Sequence, residues 1–452
     1  MRTRQVLALL RKYESPNVTR IAPDGSWPIV WERAKGNHVW DARGKRYLDL
    51  TAAFGVAAAG HANPRVVNAA KTQMSRLLHA MGDVHPHAMK ARLARELSRI
   101  TFERWEKHGR SKTIFCNSGF EAVEAAMKTV MLATKKPGVI VFKGAYHGLG
   151  YGSLNATHRE HFRSHFNSQL KRFGHFVPFP QFEPAGLGKG ALDGLEARIR
   201  DGFNRYEIGG ILVEPVQVRG GIHIPPLEFL PMLRRVCNEE KSLLILDEIY
   251  TGFGRTGKWF ACEHSATVPD IVCVGKALTG GFPLSACIGR AEVMDRAWPV
   301  SIGEAIHTST FLGHPVGCAM VLAQIKEIQS KKLVQKSANL GQWLLSALQS
   351  VDSPPWPQTP KRNKPGADRL KLRARGLGLL AGIEFCLGNG KPATTHVLRI
   401  VEDMLREGYI LLPEGEHSNV VSFTPPLTIT QAQLADCVSA LRRVIALELT
   451  RA

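Results

Sequence analysis

The sequence predicts an α/β fold: a large domain on a mostly parallel sheet flanked by helices, with a smaller α+β domain beside it. Three observations carry this. Short apolar, β-rich runs alternate with helical patterns through the middle of the chain. Two of those runs end in a charged residue. And 452 residues exceed what one ordinary hydrophobic core accommodates, so two domains are expected.

The elements follow in order. Met1–Glu14 carries a short apolar patch that returns at once to charge, and it reads as an amphipathic helix and not as a secretory signal. Residues 1–65 are expected to form the first part of the smaller domain, 66–330 the large domain, and 331–452 the remainder of the smaller one. Within the large domain, strands are predicted over 113–116, 138–142, 209–213, 243–246, 271–274 and 285–289, with a helix over 120–133. After Pro315 the spacing of Ala319, Leu322, Ile325 and Ile328 predicts a long helix, and a second follows over 333–348. Strands around 378–385 and 420–423 and a helix over 431–449 complete the chain. No internal repeat is present.

Composition narrows the function. Hydrophobic residues at 44% with charged residues at 22% describe a globular chain, and no apolar run approaches membrane-spanning length. The eight cysteines are scattered without a Cys-x-x-Cys pair, which suggests neither a metal site nor a disulfide framework and fits a reducing cytoplasm. The formal charge of +20 is unusual. Its basic residues are spread out, however, and the densest patch, Lys361-Arg-Asn-Lys364, lies in a Pro-rich stretch with no nucleic-acid motif. A basic solvated surface is the expected reading.

The chemistry gathers at strand ends. Asp270-Ile-Val-Cys-Val-Gly-Lys276 delivers an amine, and Ser242-Leu-Leu-Ile-Leu-Asp247, twenty-nine residues upstream, delivers a carboxylate. Both belong at the C-terminal edge of the sheet, where open α/β sheets bind ligands. A pyridoxal phosphate enzyme needs this pair: the lysine forms a Schiff base with the aldehyde, and the acid keeps the pyridine nitrogen protonated. Asn117-Ser118-Gly119-Phe120-Glu121 follows a strand and opens a helix, which suits a phosphate, although Ser-Gly is also a common cap. Tyr146 and His147 can cover a flat ring or simply pack. Glu214 ends another strand as a site acid or as a solvated one. Gly252-Phe-Gly254-Arg-Thr-Gly257 matches the dinucleotide fingerprint but lacks the following helix and the acid about twenty residues on. The glycine-rich run 186–190 lacks a preceding strand.

Several motifs, in family order over nearly the whole chain, resemble those of the class III aminotransferases. They are Gly36-Asn-His-Val-Trp-Asp41, Asn117-Ser-Gly-Phe-Glu-Ala122, Tyr146-His-Gly148, Glu214-Pro-Val-Gln217, Asp247-Glu-Ile-Tyr-Thr-Gly252, Gly275-Lys-Ala-Leu-Thr-Gly280, Thr308-Ser-Thr310 and Arg375-Gly-Leu-Gly378. The chain is similar to ornithine, 4-aminobutyrate and omega-amino acid aminotransferases and to glutamate-1-semialdehyde aminomutase. The resemblance implies a fold-type I transferase, a homodimer or larger, with active sites at the subunit interface. It also implies that Lys276 is the Schiff-base lysine and proton shuttle and that Asp247 pairs with the ring nitrogen. Ser118 with the backbone of Gly119 and Phe120 would hold the phosphate, Thr310 would reach the neighbouring subunit's phosphate, and Tyr146, His147 and Glu214 would surround the ring. Phe54 and Val56 would line an apolar substrate wall.

Three positions depart from that pattern. Tyr250 stands where many members have a glutamine on the cofactor's phenolic oxygen. Arg219 stands where members using 2-oxoglutarate often have a glutamate, and Ser422 replaces the arginine that takes the substrate carboxylate. Either Arg219 is the new carboxylate anchor or the substrate has no carboxylate there; a solvated Arg219 is the plain alternative. The expected function is transfer of an amino group from a small-molecule amine or amino acid to a keto acceptor by a ping-pong mechanism. An aminomutase, epimerase or lyase is the rival, and a polyanion-binding protein on a degenerate scaffold the remote one. Neither nucleic acid nor membrane is expected as a partner, and no metal.

Overall fold

The computed structural model describes residues 3–23, 27–180, 190–351 and 370–451. Its centre is a seven-stranded sheet: β1 (Ser111–Cys116), β2 (Gly138–Phe142), β3 (Gly174–Val177), β4 (Ile208–Val213), β5 (Leu243–Asp247), β6 (Ile271–Val274) and β7 (Ser285–Arg290). The spatial order is β1-β7-β6-β5-β4-β2-β3. Neighbours from β3 to β6 run parallel, while β7 is antiparallel to both β6 and β1. Strands β2, β4, β5 and β6 are buried along their whole length. Burial on both faces is why their sequences read as unbroken Val/Ile/Leu runs and not as alternating patterns. Strand β3 was not predicted: Gly-His-Phe-Val has no such run, and its place comes from pairing with β2.

Helix α1 (Gly119–Thr134) packs across this sheet, and its first turn is closed by Glu121, whose carboxylate accepts from the N–H of Asn117 (2.6 Å) and of Ser118 (3.1 Å). Helix α2 (Pro315–Ser330) begins with Pro at its first turn and is buried on most of its surface, as its apolar composition requires. The predicted helix over 333–348 is Leu333–Gln349, the closing helix runs Gln431–Arg451, and the opening one Thr3–Tyr13.

Two four-stranded sheets flank the core. In one, Trp31–Lys35, His38–Asp41 and Arg46–Asp49 form a meander, and Tyr409–Ile410 pairs parallel to its third strand. The beginning and end of the chain therefore share a sheet. The other contains Lys371–Gly376, Ala381–Cys386, Val420–Phe423 and Leu412–Glu414. Residues 377–380 are a turn where strand was expected. Gly378 sits there at φ +59, and a Cβ on it would lie 2.3 Å from the Thr256 carbonyl carbon, so side chain and strand are both excluded.

That contact explains the glycine motif over 252–257. The loop continues in turns and not into a helix, and its Arg255 is buried at 2% exposure. The guanidinium Nη1 donates to Leu379 O (2.9 Å) and Pro425 O (2.6 Å), tying the loop to both C-terminal segments. The Pro-rich stretch 353–365 and positions 186–189 of the other glycine-rich run lie outside the described residues. Among those described, no helix is long and apolar enough to cross a membrane.

Glu248 is fully buried beside the sheet edge. It accepts from Ala261 N and Cys262 N at 2.9 Å each and from the Thr251 hydroxyl, and burial raises its carboxyl to about 7. Glu248→Ala would strand two buried N–H donors. A loss of about 3 kcal/mol in unfolding free energy is expected by urea denaturation, against a change within about 1 kcal/mol for exposed Glu292→Ala.

Candidate active site

Parallel strands aligned in one sheet end along one edge, and three charged residues arrive there on neighbours. Glu214 follows β4, Asp247 ends β5, and Lys276 stands two residues beyond β6. Gly275 is extended, and Lys276 turns the chain at φ 45 into a tight turn over Lys276–Leu278. A left-handed lysine costs on the order of 1–2 kcal/mol. Thr279 holds the turn, its Oγ1 accepting from Gly281 N and Phe282 N and donating to Phe282 O.

Asp247 is 5% exposed; its Oδ2 meets His147 Nδ1 at 2.8 Å and its Oδ1 accepts from Ile249 N at 3.1 Å. His147 is buried, and its Nε2 has no partner. Glu214 accepts from Tyr146 N at 3.0 Å and, more weakly, from Val218 N at 3.4 Å. Burial first, then the charge on Asp247, pushes the Glu214 carboxyl up to about 7. Lys276 keeps part of its surface open, yet loss of hydration lowers its amine to about 8, against the opposing pull of Asp247 and Glu214.

The Lys276 amine lies 4.0 Å from the centre of the Tyr250 ring. Tyr250 thus presents its face to the lysine, while its hydroxyl sits 3.4 Å from Thr424 Oγ1. Behind it runs a left-handed turn: Ala52, Ala53, Phe54 and Gly55 all have positive φ. Asp49 fastens this turn by accepting from Thr51 N, Thr51 Oγ1 and Ala53 N while meeting His61 Nε2 at 2.7 Å. Gly55 lies against Tyr250, where a Cβ would be 2.9 Å from the ring. Phe54 itself is half exposed and Val56 partly buried.

At the start of α1, the Ser118 hydroxyl is buried without a partner, and its carbonyl accepts from Ser285 Oγ at 2.5 Å. Gly148 (φ +107) lies so close to Phe120 that a Cβ would come within 2.3 Å of the Phe120 Cβ. The 146–148 turn is thereby fixed against the helix start.

The remaining predicted residues divide. Arg219 lies over the Tyr146 ring, 5.4 Å from its centre, and its Nε is 3.5 Å from Glu414 Oε2. It is not a solvated surface residue. The Ser422 hydroxyl donates to Leu412 O at 3.0 Å within its sheet. Thr310 is exposed on the segment before α2. Glu414 and Arg159 stand near Arg219 and were not singled out in the sequence. Glu414 had a signal, an acid closing the apolar Ile410-Leu-Leu-Pro413 run; Arg159 had none. A cavity of about 470 Å³ among Ile224, Leu227, Leu230 and Leu345 is apolar and receives none of the three strand-end charges.

A family model described as Aminotransferase class-III matches residues 21–445. The chain is 34% identical to the 5-aminovalerate aminotransferase of Pseudomonas aeruginosa over 410 residues, 90% of this chain and 91% of the relative. It is 33% identical to the putrescine aminotransferase of Pectobacterium atrosepticum, over 98% of this chain and 88% of that protein. Among solved structures, a PLP-bound amine transaminase from an uncultivated Pseudomonas species superposes with a TM-score of 0.83 at 26% identity, over 96% and 98% of the two chains.

The lowered amine makes a stability prediction for the cofactor-free protein. A lysine at about 8 when folded and 10.5 when unfolded is destabilising at every pH below 8. Between 8 and 10.5 the unfolded chain binds the extra proton, so the penalty disappears as pH rises. Lys276→Met is expected to gain on the order of 2 kcal/mol at pH 7, with the gain shrinking towards pH 10 in paired denaturation curves.

Proposed function

The chain belongs to the class III aminotransferase family, and from that membership we propose that it moves amino groups in a ping-pong cycle with Lys276 and Asp247 as its catalytic pair. Enzymes of this family depend on pyridoxal phosphate. When bound, that cofactor supplies an aldehyde that condenses reversibly with amines and a ring that withdraws electrons from the carbon bearing the nitrogen. The residues present fit it: Ser118 Oγ and His147 Nε2 are buried polar atoms with no partner, and the Lys276 amine stands 4.0 Å from the centre of the Tyr250 ring.

Ser118 Oγ and the first-turn N–H groups of α1 would hold the phosphate, where the helix's positive end favours an anion. Asp247, kept in place by His147 and by Ile249 N–H, would hold its negative charge against the ring nitrogen. Tyr146 would cover the ring, with Glu214 fixing the Tyr146 backbone. Lys276 Nζ, lowered to about 8, is neutral often enough near neutral pH to take a proton from the substrate carbon and return it. Tyr250 confines that amine by its ring face, and the wall formed by Phe54 and Val56 limits the substrate's bulk. Arg219 is the proposed carboxylate anchor; Ser422 pairs with Leu412 in the sheet that carries Glu414.

The observation that carries this reading is the burial of an amine and a carboxylate on adjacent strand ends. The relatives' names, 5-aminovalerate and putrescine aminotransferase, support a donor with a primary amine on a short chain. The domain division at 65 and 330 belongs to the same proposal and is supported by the sheet that joins the two ends of the chain. So does a homodimer with Thr310 reaching across it: Ile302, Ile306 and Phe311 expose apolar side chains on the same segment. A cytoplasmic location is supported by eight free cysteines, seven of them buried.

Purified protein with pyridoxal phosphate, a panel of terminal amines and a 2-oxo acid should form the new amino acid and give parallel double-reciprocal lines. Lys276→Ala should lower kcat by about 10³-fold or more. Turnover of one substrate without any acceptor would replace this reading with the mutase, epimerase or lyase one. Ile302→Asp with Phe311→Asp is expected to shift the sedimentation coefficient from dimer to monomer; an unchanged dimer would place the interface elsewhere.

A further inference from the structure

Tyr250 offers two groups, a hydroxyl and a ring face, and the fold gives each its own partner. The hydroxyl stands 3.4 Å from Thr424 Oγ1. Thr424 Oγ1 itself donates to Thr51 O at 3.2 Å, so its one proton is committed and the Tyr250 hydroxyl is the donor between the two. Thr51 in turn is held by Asp49, which accepts from its N–H and its hydroxyl. Gly55 stands at the ring edge, where a Cβ would lie 2.9 Å from Tyr250 Cε1. Burial first, then the charge of Glu414, pushes the phenol up to about 12, so it keeps its proton at working pH.

The face is what meets the lysine. Among the described residues Lys276 Nζ enters no hydrogen bond and no ion pair, and it lies over the Tyr250 ring, 4.0 Å from the centre. A tyrosine face is the negative side of the ring's quadrupole and attracts a cation, more strongly where water is removed. Burial is the main influence on this nitrogen and works against the cation. Asp247, Glu214 and Glu414 favour the charged form, and Arg219 opposes it. Asp247 is already bonded to His147 and Ile249 N–H, and Glu214 is itself driven towards its neutral form. The ring face therefore supplies the contact that offsets lost hydration.

We propose that Tyr250 is a positioning residue that acts through its ring: the face favours the positively charged form of the Lys276 nitrogen, and the hydroxyl, committed to Thr424, does not serve the cofactor's phenolic oxygen. The proposal rests on the reading of Lys276 as the cofactor lysine. A glutamine at this position would act on that oxygen through its amide and has no face to offer. Tyrosine acts on the nitrogen instead. The consequence concerns the amino donor. A primary alkyl amine loses its proton only near pH 10.4, roughly as a lysine does, and it attacks only when neutral. Keeping the charge on the Lys276 nitrogen to higher pH widens the range in which a neutral donor meets a cationic target.

The test titrates the visible absorbance of the cofactor-loaded enzyme with pH. Tyr250→Leu removes the face and should lower the midpoint by about one pH unit. Tyr250→Phe keeps the face without the hydroxyl and should stay within about 0.3 unit of wild type. In the cofactor-free protein, the pH midpoint for acetylation of Lys276 by acetic anhydride, read by mass spectrometry, should fall with Leu and hold with Phe in the same way. Tyr250→Gln, polar and without a face, should shift the acetylation midpoint as Leu does, which covers a Leu variant that fails to fold. A Phe midpoint displaced as far as that of Leu or Gln would overturn the proposal, because the hydroxyl would then be the acting group. Unmoved midpoints in all three variants, with only their melting temperatures lowered, would overturn it as well. Loss of amino transfer with every substrate pair, while the acetylation midpoints still follow this pattern, would overturn the aminotransferase reading and leave the role of Tyr250 standing.

Discussion

The constraint on which this structure turns is the desolvation of charge at one sheet edge. Four buried parallel strands cannot carry ionic groups along their length, so the chain releases them at the strand ends. There Asp247, Glu214 and Lys276 come close enough to answer one another. Asp247 is stabilised by His147 and a backbone N–H, Glu214 is driven towards its neutral form, and Lys276 towards its neutral amine. Glu214 and Lys276 are thereby both brought towards titration near neutral pH, which is the condition for acid–base chemistry there.

The supporting structure keeps those groups at fixed distances. Tyr250 confines the lysine, Gly55 lies against Tyr250, and Asp49 holds the left-handed turn that brings Gly55 there. Arg255 ties the loop beyond Tyr250 to Leu379 and Pro425, and Gly378 permits that approach by having no side chain. Strain and buried polar groups thus lie in a shell around the edge, where several segments overdetermine each conformation. The Arg219–Glu414 pair differs from this shell in being incompletely bonded and partly open.

Legibility followed the range of the interactions. Strands β2, β4, β5 and β6 announced themselves because two-sided burial writes a continuous apolar run, and Asp247 and Lys276 were conspicuous as charges closing such runs. Strand β3 lacks a run because its backbone pairing with β2 places it. The segment over 377–380 carried a strand-like sequence, but Gly378 must pass Thr256 in a turn. The dinucleotide-like glycines were local chemistry without the helix that would give them that meaning.

By itself, the sequence determined the α/β class, the strand ends that carry the amine and the acid, and the family motifs. Those are local patterns of burial and charge, and a single strand suffices to express them. Only the tertiary structure decided that Arg219 meets Glu414, that Tyr250 turns its face and not its hydroxyl to Lys276, and that Ser422 is spent on Leu412. Arg219 and Glu414 lie almost two hundred residues apart, one in the turn that follows β4 and the other in the strand Leu412–Glu414. Nothing in either one's neighbours encodes the other, because their encounter is made by the packing of β4's turn against the Leu412–Glu414 strand.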